Sequence, residues 1–142
     1  RDDLSAQADC TFNLLCSDRL YPACHPSLLA LAAEQRVTLH GEREMDWSHW
    51  TVAGGAHVGQ RDSGLNFSDP GLLLDAACNG LGIALVSQLL AQHAHDAGLL
   101  QPLTEQRVRG ANWAWLLHRD SEHNPLARHF CQWLQSALPA GA

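Results

Sequence analysis

Residues 65–86 of this 142-residue chain hold the side chains whose spacing best suits ligand binding. Asp69 followed by Pro70 is typical of a helix start, because aspartate caps backbone N–H groups and proline has none to cap. Gly80 suits the left-handed residue that ends a helix, and residues 82–86 resemble a buried strand. Such a strand–helix–strand unit places the helix N-terminus where α/β sheets bind ligands and where free N–H groups attract anions.

The expected small-molecule site therefore lies at the start of this helix. Ser68, Asp69, Pro70 and Gly71 are its candidate ligand-binding residues, together with Phe67 just before them. A purely structural role for Asp69, as a cap that contributes about 1 kcal/mol, fits the sequence equally well. An unpaired carboxylate at this position would also oppose an anionic ligand.

Two further residues are candidates for the same site. Trp113 lies in an apolar run, 113–118, and would either stack on a ligand in a cleft or pack in the core. His25 follows a strand-like run, 19–24, and would either donate a hydrogen bond to a ligand or cap the turn that it precedes. The sequence leaves both alternatives open for each residue.

Nine histidines and five cysteines show no spacing that predicts catalysis or metal binding. His93 and His95 would face opposite sides of a helix, whereas a zinc site needs three or four convergent ligands. Cys24, His118 and Asp69 can be written as a catalytic set, but no motif supports them. The chain has no Gly-x-Ser-x-Gly elbow and no phosphate-binding loop. We therefore predict no catalytic residue, no metal and no cofactor.

The elements around the candidate site alternate between strand and helix from residue 12 to residue 138. This alternation favours an α/β domain with a mainly parallel sheet and flanking helices. The formal net charge of −6 repels phosphate backbones, so we expect no nucleic-acid binding by this chain itself. No apolar run is long enough to cross a membrane. The odd number of cysteines, without a zinc pattern, indicates free thiols in a reducing cytoplasm.

In order and wording, these segments resemble the effector-binding domain of LysR-type transcriptional regulators, in the subgroup of the glycine-cleavage activator and the β-lactamase regulator. The resemblance covers about residues 12–135, through segments 15–29, 37–40, 47–50, 66–69, 76–86, 98–103, 113–117 and 130–134. In the β-lactamase regulator a Ser-Ser pair aligns with Asp69 and Pro70, and a ligand-contacting Tyr aligns with Trp113. This chain therefore lacks those hydroxyl groups.

The resemblance implies a periplasmic-binding-protein-like fold in which two subdomains hold a small-molecule effector of unknown identity. Residues 1–18 would end subdomain I, whose first half is lacking, residues 19–108 would form subdomain II, and residues 109–142 would return to subdomain I. The family also implies a cytoplasmic homodimer or tetramer, with DNA bound only through a winged helix-turn-helix domain that this sequence lacks, and with no membrane partner.

Two other functions remain alternatives. One is a small α/β enzyme that uses Cys24 or a histidine, which would need a nucleophile in contact with a base. The other is a periplasmic solute-binding protein of the same topology, although the sequence shows no export signal and has an odd number of cysteines.

Overall fold

The computed structural model of the protein describes residues 10–59 and 61–138. Its six strands are β1 (Cys10–Cys24), β2 (Val37–His40), β3 (Arg61–Asn66), β4 (Ala84–Ser87), β5 (Gln101–Pro102) and β6 (Val108–His118). Its four α-helices are α1 (Trp47–Val52), α2 (Pro70–Cys78), α3 (Gln88–Asp96) and α4 (Pro125–Ala137). The α/β class is thereby confirmed. Among the described residues, no helix combines the length and the apolar character needed to span a membrane.

The chain divides into two compact units. The larger unit runs from Arg19 to Gly110, and the smaller unit takes the chain before and after it. Two strands, β1 and β6, each contribute residues to both units. The larger unit ends at Gly110, two residues after the boundary at 108 that the family resemblance implies.

The larger unit holds a two-stranded sheet of β2 and β3, and β4, β1 and β5 lie in that order in a second sheet; an isolated bridge links the two. Strands β2 and β3 pair in parallel, and a parallel bridge from Thr38 to Ile83 continues the sheet toward β4. Leu39 N–H donates to Ile83 O at 2.8 Å, and Ile83 N–H donates to Val37 O at 2.8 Å. Strand β1 then pairs antiparallel with both β4 and β5.

This mixed sheet differs from the mainly parallel arrangement expected from the alternation of elements. The cause is β1, which precedes the first parallel strand and runs opposite to its neighbours. An antiparallel strand in an otherwise parallel sheet is common in α/β proteins. Strand β1 is continuous from Cys10 to Cys24. Two 3-10 turns, Pro26–Ala30 and Ala33–Gln35, lie between β1 and β2.

Helix α2 packs on this sheet through its apolar face. Leu73, Ala76 and Ala77 are buried in the core with Leu39 and Leu85. The expected end of α2 is confirmed, because Gly80 has a φ of 79°, a value that glycine adopts without a steric penalty. The helix is therefore fixed at both ends and along its buried side.

The smaller unit is built on the pairing of β1 with β6. Ser17 Oγ donates to Asn112 Oδ1 at 2.9 Å, and Trp113 Nε1 donates to Asp18 Oδ2 at 3.2 Å. Asp18 is only 3% exposed, so the indole partners a carboxylate removed from water.

Helix α4 leaves most of its apolar stripe uncovered. Leu126 is 80% exposed, Phe130 56% and Trp133 57%. Asn124 caps this helix, because its Oδ1 accepts the N–H groups of Leu126 and Ala127. The stripe carries enough apolar surface for a further packing contact.

Replacing Leu73 by alanine tests the packing of α2. The Leu73 side chain is 1% exposed, so Leu73→Ala should lower the free energy of unfolding by about 2–5 kcal/mol through lost burial and a residual cavity. Its neighbour Leu72 is 58% exposed, and Leu72→Ala should change stability by less than about 0.5 kcal/mol. Urea denaturation of both variants measures the difference. Equal losses would contradict the packing described here.

Candidate functional site

The candidate ligand corner, defined as residues 67–71, lies where β2 and β3 end. Phe67 N–H donates to His40 O at 2.8 Å, which holds the carboxyl ends of the two strands side by side. Phe67 packs against the core, whereas Ser68, Asp69 and Pro70 are exposed. Strand ends of this kind are where open α/β sheets bind ligands.

The Asp69 side chain accepts hydrogen bonds from N–H groups at the start of α2. Asp69 Oδ1 accepts the N–H of Gly71 at 2.7 Å and that of Leu72 at 3.4 Å. Leu73 N–H donates to the Asp69 carbonyl at 3.1 Å, and Pro70 has no N–H. The cap predicted from the sequence is confirmed. The expectation that free N–H groups attract an anion here is wrong, because the first turn has its acceptors and carries a carboxylate.

Ser68 is the second polar residue of this corner. Its exposed hydroxyl has no hydrogen-bond partner within residues 10–59 and 61–138. A hydroxyl both donates and accepts, so Ser68 can partner either kind of ligand group. The corner therefore presents one free hydroxyl beside one carboxylate.

Just before the corner, the side chains of His40 and Asp62 join β2 to β3. The sequence did not indicate this contact, which we call the clamp. His40 Nε2 lies 2.7 Å from Asp62 Oδ1, which also accepts Gly64 N–H at 2.8 Å. The strand pairing shifts here, and Gly64 has a φ of 71° in the bulge. The Gly64 hydrogen bond and, after it, the His40 hydrogen bond lower the pKa of Asp62. No short sequence motif links residues 22 positions apart, so this contact becomes evident only once β2 and β3 are known to pair.

His25 does not lie with the corner. Its Nδ1 accepts Ser27 N–H at 3.1 Å, so it caps the turn that follows, as one of its two expected roles. A Cβ built on Gly80 would lie 3.9 Å from His25 Cβ, which places His25 at the C-terminal end of α2. The corner is at the opposite end, a helix length of about 13 Å away. The expected shared site is wrong, because β1 runs antiparallel and ends at the other edge of the sheet.

Trp113 belongs to the smaller unit, and the corner belongs to the larger unit. Its indole is half-buried and donates to Asp18, as described above. That bond gives Trp113 a partner within its own unit. A stacking role for its ring on a ligand remains a prediction.

The cysteines show the chemistry of buried thiols. Burial raises the pKa of Cys16, Cys24 and Cys78, and it is the largest influence on each. A thiol with a raised pKa is less often the reactive thiolate at neutral pH. Within the described part of the chain, no three His, Cys, Asp or Glu side chains are grouped to hold a metal ion.

Comparison with known proteins gives a family match along nearly the whole chain. The profile described as LysR substrate binding domain matches residues 1–139. An uncharacterized HTH-type transcriptional regulator, y4mQ of Sinorhizobium fredii, is 30% identical over 131 residues. That match covers 84% of this chain and 43% of y4mQ, so the chain spans less than half the length of this relative.

Solved structures of the same kind share the fold. The AmpR effector binding domain of Citrobacter freundii has a TM-score of 0.66 and 21% identity, over 91% of this chain and 68% of that chain. Full-length LysG of Corynebacterium glutamicum, with bound effector Arg, has a TM-score of 0.56 and 21% identity. The match to LysG covers 90% of this chain and 46% of that one.

The titration of Asp62 tests the clamp. Its carboxyl group should titrate below its ordinary value of 3.8, because the ionised form accepts two hydrogen bonds. The stability that these bonds provide is therefore present above 3.8 and is lost as the pH falls through the lowered value. Carbon-detected NMR of the Asp side chains measures the midpoint. His40→Gln should raise it part of the way, since the Gly64 bond remains, and an unchanged midpoint would argue against the clamp.

Thiol labelling tests the chemistry of the cysteines. At neutral pH, Cys24 is fully buried and its pKa is raised, so it should react with a disulfide reagent at least about tenfold more slowly than a free thiol. Unfolding in urea should abolish this protection. Mass spectrometry of the labelled peptides follows each cysteine separately. Rapid labelling of Cys24 in the folded protein would instead favour a cysteine-dependent enzyme.

Proposed function

Because this chain belongs to the LysR substrate binding domain family, we propose that it senses a small-molecule effector for a LysR-type transcriptional regulator. The exposed corner at the ends of β2 and β3 is the observation that carries this proposal. Binding can regulate only if the effector has unequal affinity for two states of the protein. The two compact units, joined by β1 and β6, offer a domain organisation compatible with such states.

We infer a binding role without catalysis for this domain. The raised pKa of the three thiols named above leaves them weakly reactive, which supports this inference over a cysteine-dependent enzyme. The five cysteines are free, as is usual in a reducing compartment. A cytoplasmic location is therefore proposed in preference to the periplasm.

The whole protein is proposed to bind DNA through a helix-turn-helix domain outside the present sequence. The relative y4mQ is an HTH-type regulator more than twice as long as the matched region. A homodimer or tetramer is also proposed, because the Leu126, Phe130 and Trp133 stripe on α4 leaves a large apolar surface to be covered.

The chemistry of the corner suggests which effectors it accepts. The Asp69 carboxylate repels an anionic group and favours a cationic or hydrogen-bond-donating one. Ser68 adds a hydroxyl that accepts or donates. The solved LysG holds the effector Arg, a cationic amino acid, which makes L-arginine a suitable probe for this chain. We propose that the effector presents a donor group to Asp69.

A charge series of amino acids tests this proposal. L-arginine or L-glutamine should bind at least about fivefold more tightly than L-glutamate, since one carboxylate near a surface contributes on the order of 1 kcal/mol. Asp69→Asn should abolish that preference while keeping α2 intact, because asparagine also caps helices well. Titration calorimetry and amide NMR shifts at residues 67–71 are the measurements.

The matched control is Asp75→Asn, which removes an exposed carboxylate from the same helix and should leave the preference unchanged. Preferred binding of glutamate, or shifts confined to other parts of the larger unit, would argue against the proposed effector chemistry. Absence of binding by all three probes at millimolar concentration would count against the corner as the effector site.

A further inference from the structure

A pocket in the larger unit has no part in the function proposed above. Its volume is about 240 Å³. Trp47, Trp50, His40 and Thr51 line it, together with the chain segment 55–59. Pockets for drug-sized ligands occupy about 300–1,000 Å³, so this one suits a molecule of one or two rings.

The pocket lies on the sheet face opposite to α2. Side chains alternate between the two faces of a strand, so Thr38 and His40 point away from the side that bears Leu39 and Gly41. A Cβ built on Gly41 would lie 2.8 Å from Leu73 of α2, which identifies that second side as the α2 face. The pocket and the start of α2 are therefore separate features of the larger unit.

The indole walls of the pocket are fixed by contacts within the protein. Trp47 Nε1 donates to Leu39 O at 2.7 Å, and Trp50 Nε1 donates to Ala56 O at 2.8 Å. A Cβ at Gly55 would lie 2.1 Å from the Trp50 ring, so this ring packs directly on the glycine backbone. Both indole N–H groups are thus satisfied. Trp50 is 2% exposed and Trp47 is partly buried, so a ligand would contact mainly the carbon surface of Trp47.

The loop that carries Gly55 is held from a distant part of the chain. Gln106 Nε2 donates to Gly54 O at 2.8 Å, and Gln106 Oε1 accepts Ala56 N–H at 3.0 Å. His49, on the same helix as the two tryptophans, lies with its Nε2 2.8 Å from Arg109 O. The pocket is therefore built before any ligand arrives, which reduces the entropy lost on binding.

His40 determines which hydrogen-bonding group of a ligand the pocket can partner. Above its lowered pKa, Asp62 is ionised and can only accept a hydrogen bond, so His40 Nε2 is the donor. In the neutral imidazole, Nδ1 is then an acceptor. No arginine is among the residues described as lining the pocket, and the chain has no lysine. An anionic ligand would find the Asp62 carboxylate nearby, and the basic side chains among the described lining residues are the imidazoles of His40 and His57.

We propose that this pocket binds a small planar aromatic molecule that carries no negative charge and donates an N–H to His40. The partly buried ring of Trp47, with the buried Trp50 beside it, provides the apolar surface. The volume limits the ligand to one or two rings, and His40 selects a donor. The proposal does not depend on the function of residues 67–71.

Fluorine NMR of the full chain labelled with 5-fluorotryptophan tests the proposal, with indole as the first probe. The five tryptophans give separate reporters, and Trp47 and Trp50 should shift saturably while Trp113, Trp115 and Trp133 do not. 1-Methylindole lacks the N–H and should bind about fivefold more weakly, the effect of one hydrogen bond. Indole-3-acetate should bind about tenfold more weakly because of its charge.

A substitution at His40 separates this hydrogen bond from simple packing. In His40→Leu, indole and 1-methylindole should bind equally, because the acceptor is gone. Val52→Ala is the matched control, since Val52 is on the same helix but 88% exposed, and it should keep the difference between the two probes. Should His40→Leu fail to fold, the comparison of probes on the unaltered chain still decides.

Three results would overturn the proposal: no saturable shift of Trp47 and Trp50 up to about 5 mM indole, a range that covers weak sites; equal binding of indole and 1-methylindole to the unaltered chain; or binding of indole-3-acetate as tight as that of indole.

Discussion

Burial of Leu73 and Ala77 between α2 and the central strands is the contact on which the position of the candidate ligand site depends. Apart from Phe67, the corner consists of exposed residues. It is held in place because the helix that starts there is anchored to the sheet one turn later. The same strands carry the aromatic pocket on their other face. One layer of apolar packing therefore positions both features of the larger unit.

Local chemistry made the ends of the helices predictable from the sequence. The caps at Asp69 and Asn124 and the left-handed Gly80 each depend on residues close in the chain. The direction of β1 was not predictable in this way, because strand pairing joins distant residues. His25 was misplaced for that reason alone. Trp47 and Trp50 have the i, i+3 spacing of one helical turn, but nothing local showed that they line a pocket.

The Asp69 carboxylate gives the candidate site a preference for ligand charge that fold similarity does not determine. A helix start with free N–H groups favours anions, whereas one occupied by an aspartate side chain favours donors and cations. Both arrangements fit on the same backbone. The AmpR and LysG structures share the fold at about 21% identity, so the ligand must be inferred from the side chains at the corner of this chain.

Two of the side-chain contacts that join distant residues in the larger unit differ in charge and in the groups that they contact. Gln106 holds the segment after α1 through an uncharged amide, whereas His40 and Asp62 join β2 to β3 through an ionised group. The Gln106 amide contacts only backbone groups of the segment, so a change of side chain at Ala56 leaves its partners in place, whereas a change at either His40 or Asp62 removes the second link. The wall around Trp50 would therefore tolerate sequence drift that the pairing of β2 with β3 would not.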